Sequence, residues 1–383
     1  MDPISRRHAL ALLGGSATTA AVAVGFSTPA SAIEDRLTVS LDKTLYRKGE
    51  LMTLSVNEDF RKTRYVHVTD TGAHTWKKVF DDGLRQIWTA AAEATGDAVV
   101  TVKLTVERRT SPVHVATTAF RVVSLRSTRV GMSSPAHLWS QRIAEVGVGV
   151  SARRIFADLG KGSNDQMELV EAAHRAGMMP VISYKVGGDA AGAAAGKYNA
   201  VAEQAATRLE SYGLPTTVTY WHEPHGDLAP AQFVAGNKQL LPAFKRGKIK
   251  VGPFLNGWLL DRLQPTFGSY CPDELFGLWD WFGIDTYESG TMESPGDIKP
   301  ADRIPKLVSY VNSRGFSHRL GIGEYNGYSA QSIFDAGNAI LDEQQIAFGC
   351  MWNSTIGKGY ALTGARLEAF RTTLADPRAA EAA

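Results

Sequence analysis

The chain is poor in cysteine, with two residues in 383, and two cysteines do not amount to a disulfide framework. Cys350 lies inside an apolar run and reads as a buried free thiol. Charge of one sign is also missing. Lys and Arg (41) nearly balance Asp and Glu (39), for a formal net charge of +2 with no long basic run. Nucleic acid and anionic membrane surfaces are therefore poor partners. No apolar run reaches the ~20 residues that a membrane span needs. The one candidate, Ala9 to about Phe26, is diluted by Gly, Ser and Thr.

Three motifs are absent as well. Where a doubly wound dinucleotide fold would carry a glycine-rich loop, the chain has Gly131-Met132-Ser133-Ser134-Pro135. No G-x-S-x-G elbow stands between a strand and a helix, which sets aside a serine hydrolase. His222-Glu223-Pro224-His225 is one residue short of H-E-x-x-H, and its proline forbids the helix on which that zinc motif depends. No metal and no organic cofactor is expected.

What is present suits a globular protein with a sizeable core, 44% hydrophobic and 21% charged, at a length comfortable for two domains. Residues 1–32 read as a twin-arginine signal peptide: Ser5-Arg6-Arg7, an apolar middle, then Ala30-Ser31-Ala32. Cleavage after Ala32 and export in the folded state are expected, giving a secreted, extracellular protein with no membrane span. A monomer is expected.

Residues 36–125 have an all-β texture. Val100, Val102, Leu104 and Val106 alternate with Thr101, Lys103 and Thr105, the period of a half-buried strand. Short runs of this kind, separated by turns such as Asp81-Asp82-Gly83, predict an antiparallel sandwich of immunoglobulin-like size. Its only tryptophans are Trp76 and Trp88, so it reads as a spacer.

Residues 126–376 alternate strand and helix, ahead of a short tail at 377–383. Eight strand candidates in about 250 residues predict a (β/α)8 barrel. They lie near Val130–Met132, Val150–Ala157, Met179–Tyr184, Thr216–Trp221, Lys250–Phe254, Phe282–Thr286, Leu320–Ile322 and Ala347–Trp352.

Barrel enzymes place their chemistry where strands end. The fourth strand ends in Tyr220-Trp221-His222-Glu223-Pro224 and the seventh in Gly323-Glu324-Tyr325-Asn326. Carboxylates at these two ends would meet in one cleft, and glycoside hydrolysis needs such a pair. Glu223 would be the acid/base, its pKa raised by burial and by its ionised partner. Glu324 would be the nucleophile, held ionised by Arg154 and oriented by Tyr287. Trp352 is expected at the floor of the cleft, with Trp221, Tyr325, Asn256 and Lys185 lining or supporting it. Asp285 reads as a structural neighbour rather than a third catalytic acid.

The region from about Arg126 to Asp376 resembles the clan A glycoside hydrolases, through Glu223, Glu324, Arg154, Tyr287 and Trp352 in that clan's order. The clan commonly has Asn before the acid/base. The His222-Glu223 pair looks closest to glycoside hydrolase family 26, the β-mannanase-like family, while Pro224 matches the commoner Asn-Glu-Pro pattern. The resemblance implies a retaining mechanism on a β-linked polysaccharide such as β-mannan, of endo type. His222 would bond the sugar 2-hydroxyl or support Glu324. Two rival expectations share these residues: a carbohydrate-binding or cell-surface protein whose barrel has lost catalysis, and a transglycosylase that remodels host polysaccharide.

Overall fold

The computed structural model describes residues 37–58, 64–94, 96–106, 114–123, 128–356 and 359–380. The signal peptide expected over 1–32 lies outside them. The chain divides into two compact units, Met1–Leu125 and Arg126–Ala383.

In the first unit, β1 (Thr38–Leu41), β3 (Leu51–Asn57), β5 (Lys77–Asp81) and β6 (Arg85–Ala91) form one sheet in the order β1-β3-β6-β5. A second sheet, β2-β8-β7-β4, contains β2 (Leu45–Arg47), β4 (Arg64–Asp70), β7 (Gly96–Val106) and β8 (His114–Val123). Pairing is antiparallel except between β2 and β8. Alternation decides which side faces in: Val100, Val102 and Leu104 are fully buried while Lys103 between them is exposed. Both sheets feed one core, with Met52, Leu54 and Val56 of β3 clustering with Val100, Val102, Phe120 and Val122. The two tryptophans are used internally. Trp76 donates its indole N–H to Asp70 at 2.5 Å and Trp88 donates to Gln86 at 3.1 Å.

In the second unit every strand pairing is parallel. The strands are β9 (Arg129–Ser133), β10 (Ala152–Asp158), β11 (Met179–Lys185), β12 (Thr216–Tyr220), β13 (Ile249–Val251), β14 (Phe254–Asn256), β15 (Trp281–Tyr287), β16 (Arg319–Asn326) and β17 (Ile346–Trp352). β17 returns to pair with β9, while β13 pairs with β12 and β14 with β15. β13 and β14 are therefore two halves of a single fifth staves' position, interrupted at Gly252-Pro253, and the sheet closes into a TIM-like barrel. Proline cannot donate to the ladder. Gly252 is required because a Cβ there would lie 2.2 Å from the Trp281 carbonyl oxygen.

Amphipathic helices cover the barrel. Met167–Arg175 buries Met167, Val170 and Ala173, and Gly177 follows at φ +69, the left-handed conformation that ends helices. The small-residue stretch Gly187–Gly196, which reads as a loop in the sequence, contains the short helix Ala190–Ala194 with the Asp189 side chain as its cap.

Inside the barrel, Ala152, Val181, Phe254, Trp281, Phe348 and Cys350 pack as one layer. Both Cys271 and Cys350 are buried free thiols. Glycines make room for the aromatic side chains of this layer. A Cβ on Gly321 would stand 2.4 Å from the Phe348 ring, and that ring is held against Phe254 and Trp281. Gly321→Ala should therefore destabilise the barrel by about 1–3 kcal/mol through overpacking, measured as a lower urea midpoint with an unchanged slope. An unchanged midpoint would mean that the layer has slack that its packing does not suggest.

Candidate active site

Along β10, Ala152 faces the inner layer, so alternation turns Arg154 and Phe156 inward too. On β15 the same rule turns Trp281, Asp285 and Tyr287 inward. β16 needs an extra step. Ile284 pairs with Ile322, but Asp285 pairs with Glu324, so Gly323 is the additional residue of a β-bulge. The bulge resets the phase of β16, bringing Glu324 inward and sending Tyr325 outward. Gly323 has no room for a side chain, since a Cβ would lie 2.3 Å from Asp285 Oδ1.

Tyr325 is the sequence-expected site residue that this arrangement removes from the cleft. It is 1% exposed and belongs to the core between barrel and helices. The uninterrupted strand rule cannot foresee this, because the bulge lies one residue before it.

Glu324 accepts hydrogen bonds from Ser133 at 3.3 Å and from Tyr287. Arg154 Nε lies 4.0 Å from Glu324 Oε1, and Arg154 Nη2 lies 4.0 Å from Asp285 Oδ2. Asp285 is buried, and burial first, then the neighbouring charge of Glu324, pushes its carboxyl well above the usual range. Burial also raises Glu324. Arg154, Tyr287 and Ser133 oppose that rise without cancelling it. Arg154 stands where it was expected and pulls Glu324 toward its charged form, against the larger upward push of burial.

Glu223 follows β12 across a strained turn, with Trp221 at φ +53 and Glu223 at φ +48. Its backbone N–H donates to the Phe254 carbonyl at 2.9 Å. Burial, and then the charge on Glu324, raise the Glu223 carboxyl to about 7. The two glutamates therefore differ in kind. Glu324 has a guanidinium and two hydroxyl donors that favour its charge, whereas Glu223 has desolvation and a negative neighbour that favour its proton. Burial keeps the phenol of Tyr287 protonated and able to donate.

His222 is held neutral, its pKa pushed well below the ordinary value by burial and then by Arg154 and Lys185. Its ring lies 5.0 Å from Phe156, which meets Trp352 edge-on at 6.2 Å. Lys185 and the Trp221 indole both donate to Asp227, at 2.9 and 3.0 Å. Lys185 also sits 4.8 Å from the Trp221 ring. These two expected residues form a brace beside Glu223. Asn256 accepts from the His225 backbone N–H at 3.0 Å, fixing the loop after Glu223.

Sequence reasoning missed several participants. Ser133 is a short polar residue whose only signal is its place at the end of the first barrel strand. Glu288, Ser289, Arg303 and Tyr360 line a pocket of about 260 Å³ together with Glu223, Asp285, Tyr287 and Trp258, the last an aromatic that the sequence already places near a strand end. They stand far apart in the chain, and only the closed barrel gathers them. Among the described residues no group of His, Cys, Asp and Glu is arranged to hold a metal ion, and no helix is long and apolar enough to cross a membrane.

The pKa of Glu223 implies a pH-dependent stability. The folded state keeps this proton up to about 7, whereas an unfolded glutamate releases it near 4.3. Between those values unfolding releases a proton, so this group's contribution to stability falls as pH rises through the window. Glu223→Gln should remove that contribution. Chemical denaturation at pH 5 and pH 8 should show the variant's gain in stability over the wild type to be much larger at pH 8 than at pH 5. An equal difference at both values would mean that Glu223 is not desolvated as described.

No protein-family model matches the chain. No curated protein matches it either. Among solved structures it is similar to a family 39 glycoside hydrolase from the gut symbiont Bacteroides cellulosilyticus WH2, at 11% identity and TM-score 0.47, over 88% of this chain and 82% of that one. It is similar to a subgroup I family 128 endo-β-1,3-glucanase from Amycolatopsis mediterranei, at 15% identity and TM-score 0.40, over 64% of this chain and 99% of that one. It is also similar to a family 51 α-L-arabinofuranosidase from Bifidobacterium longum, at 10% identity and TM-score 0.43, over 66% and 72%.

Proposed function

We propose that the chain is a retaining glycoside hydrolase that cleaves a β-linked glycan by double displacement, with Glu324 as nucleophile and Glu223 as acid/base. The observation that carries this reading is the unlike surroundings of two buried carboxyls in one cleft. One is surrounded by donors to its charged form, and the other keeps its proton to about neutral pH. Two carboxyls whose environments divide acid from base are the requirement of this chemistry.

In the first step a Glu324 oxygen attacks the anomeric carbon as the glycosidic C–O bond breaks, and Glu223 gives its proton to the departing oxygen. The product is a glycosyl ester on Glu324 and an ionised Glu223. In the second step Glu223 takes a proton from water, the water oxygen attacks the anomeric carbon, and the ester bond to Glu324 breaks with inversion. Two inversions retain configuration. Arg154, Ser133 and Tyr287 hold the carboxylate of Glu324 as attacking group and as leaving group. His222 stays neutral beside them, where its ring can bond a sugar hydroxyl, and Trp352 offers a ring face near the same place.

The finer assignments belong to the same proposal. They are a clan A enzyme closest to the β-mannanase-like family 26, acting endo on a β-glycan and exported by the twin-arginine route. The first unit would be an immunoglobulin-like spacer, and the mature protein a monomer that needs no cofactor.

Reducing-sugar release from β-mannans, β-glucans and xylans, by the protein beginning at Ile33, tests the reading. Glu223→Ala should lower kcat/KM by about 10²–10⁴-fold. Glu324→Ala should be inactive, and azide should restore turnover of an activated glycoside with a product of inverted configuration. The basic limb of the pH–rate profile should fall near 7, as Glu223 loses its proton. Full activity in Glu324→Ala would end the assignment.

A further inference from the structure

The pocket beside Glu223 has walls that the two-step mechanism does not use. Trp258 stands at its mouth, 43% exposed, and is fixed on both flanks. Behind it, the Gly257 N–H donates to the Asp285 carbonyl at 2.9 Å, and a Cβ on Gly257 would lie 2.6 Å from that oxygen. Beside it, the His225 ring meets the indole edge-on at 5.3 Å, and His225 is itself tied to Asn256. The far wall is Tyr360, stacked on Tyr328 at 5.8 Å with their hydroxyls 3.2 Å apart.

Of the charged residues that line this pocket, Glu288 and Arg303 are already bonded, and Asp285 lies 4.0 Å from Arg154. Glu288 is bonded by Lys299 and by the Tyr328 backbone N–H. Arg303 is held by Asp261 at 2.7 Å and by Thr286 at 3.2 Å. What the walls offer is ring faces and a few hydroxyl-sized polar groups, the chemistry that suits a neutral pyranose. The volume, about 260 Å³, lies just below the usual range for ligand sites and suits one sugar unit rather than a chain.

Its position decides which sugar. Glu223 is part of the lining and Glu324 is not. A proton donor stands beside the departing oxygen, so a ring in this pocket is on the leaving side of the bond.

We propose that this pocket is the leaving-group subsite, that it takes one neutral pyranose, and that Trp258 is the platform on which that ring stacks. The inference rests on the glycosidase reading above. A glycosyl fluoride separates the two, because its leaving group is a single atom that leaves the pocket empty.

The probes are the β-linked tetrasaccharide that the wild-type protein cleaves fastest and the biosyl fluoride of the same sugar. In Trp258→Ala the ratio of kcat/KM for the tetrasaccharide to that for the fluoride should fall tenfold or more, and Trp258→Phe should recover most of it. A ratio changed by less than threefold would overturn the subsite while leaving the hydrolase intact. Should the wild-type protein cleave no tetrasaccharide and turn over no fluoride, the hydrolase reading falls, and binding decides whether the pocket holds a sugar on Trp258. Glu223→Gln protein is then titrated with mannotriose, cellotriose, laminaritriose and xylotriose, followed by tryptophan fluorescence. Saturable binding that weakens tenfold when Trp258→Ala is added supports the platform. Binding of none of them, or binding indifferent to Trp258, overturns it.

Discussion

Everything in the cleft is arranged around a buried cation. Arg154 is 1% exposed, sits inside the barrel with its guanidinium 4.2 Å from the Phe254 ring centre and 5.1 Å from that of Phe156, and its nitrogens make no hydrogen bond. Taking such an ion out of water costs several kcal/mol, and it is tolerated only with counter-charge close by. The carboxyls of Asp285 and Glu324 stand 4.0 Å away, and the cation pulls each toward its charged form. The dependence also runs the other way. Three carboxyls converge on this space, and without the guanidinium, burial would drive all of them toward their neutral forms.

Position follows from the same packing. Gly323 lacks a side chain so that Asp285 fits, and the bulge at Gly323 is what turns Glu324 toward Arg154. On the other side of the cleft, the turn after β12 is held by the Glu223 N–H on strand β14 and by the Trp221–Asp227–Lys185 brace. Glu223 therefore stays near Glu324 while the hydroxyls of Ser133 and Tyr287 donate to Glu324, and Glu223 keeps its proton to about 7.

The barrel was legible because its signals are local and repeat. Alternating apolar strands, helices such as Met167–Arg175 with one buried stripe, and glutamates at two strand ends are all visible in short windows of sequence. The fifth strand was expected unbroken near Lys250–Phe254, although Gly252-Pro253 interrupts it. What could not be read depends on contacts between distant segments. Tyr325 was expected in the cleft because nothing in its own neighbourhood announces a bulge. Ser133 has no signal but its strand end. Trp258 and Tyr360 come from loops that meet only once the sheet has closed. The sign of the shift at Glu324 was also beyond reach, since it is a contest between burial and three named partners.

The turn after β12 has a further consequence. Left-handed backbone at a residue with a side chain costs on the order of 1–3 kcal/mol, and here two such residues, Trp221 and Glu223, stand within three positions of each other. Glycine or asparagine would sit there more comfortably. A lineage in which the carboxyl at 223 no longer mattered would therefore gain stability by losing it, so relaxation of selection would erase this glutamate quickly. The strain at this turn is the cost of placing a side chain, and with it a carboxyl, at position 223.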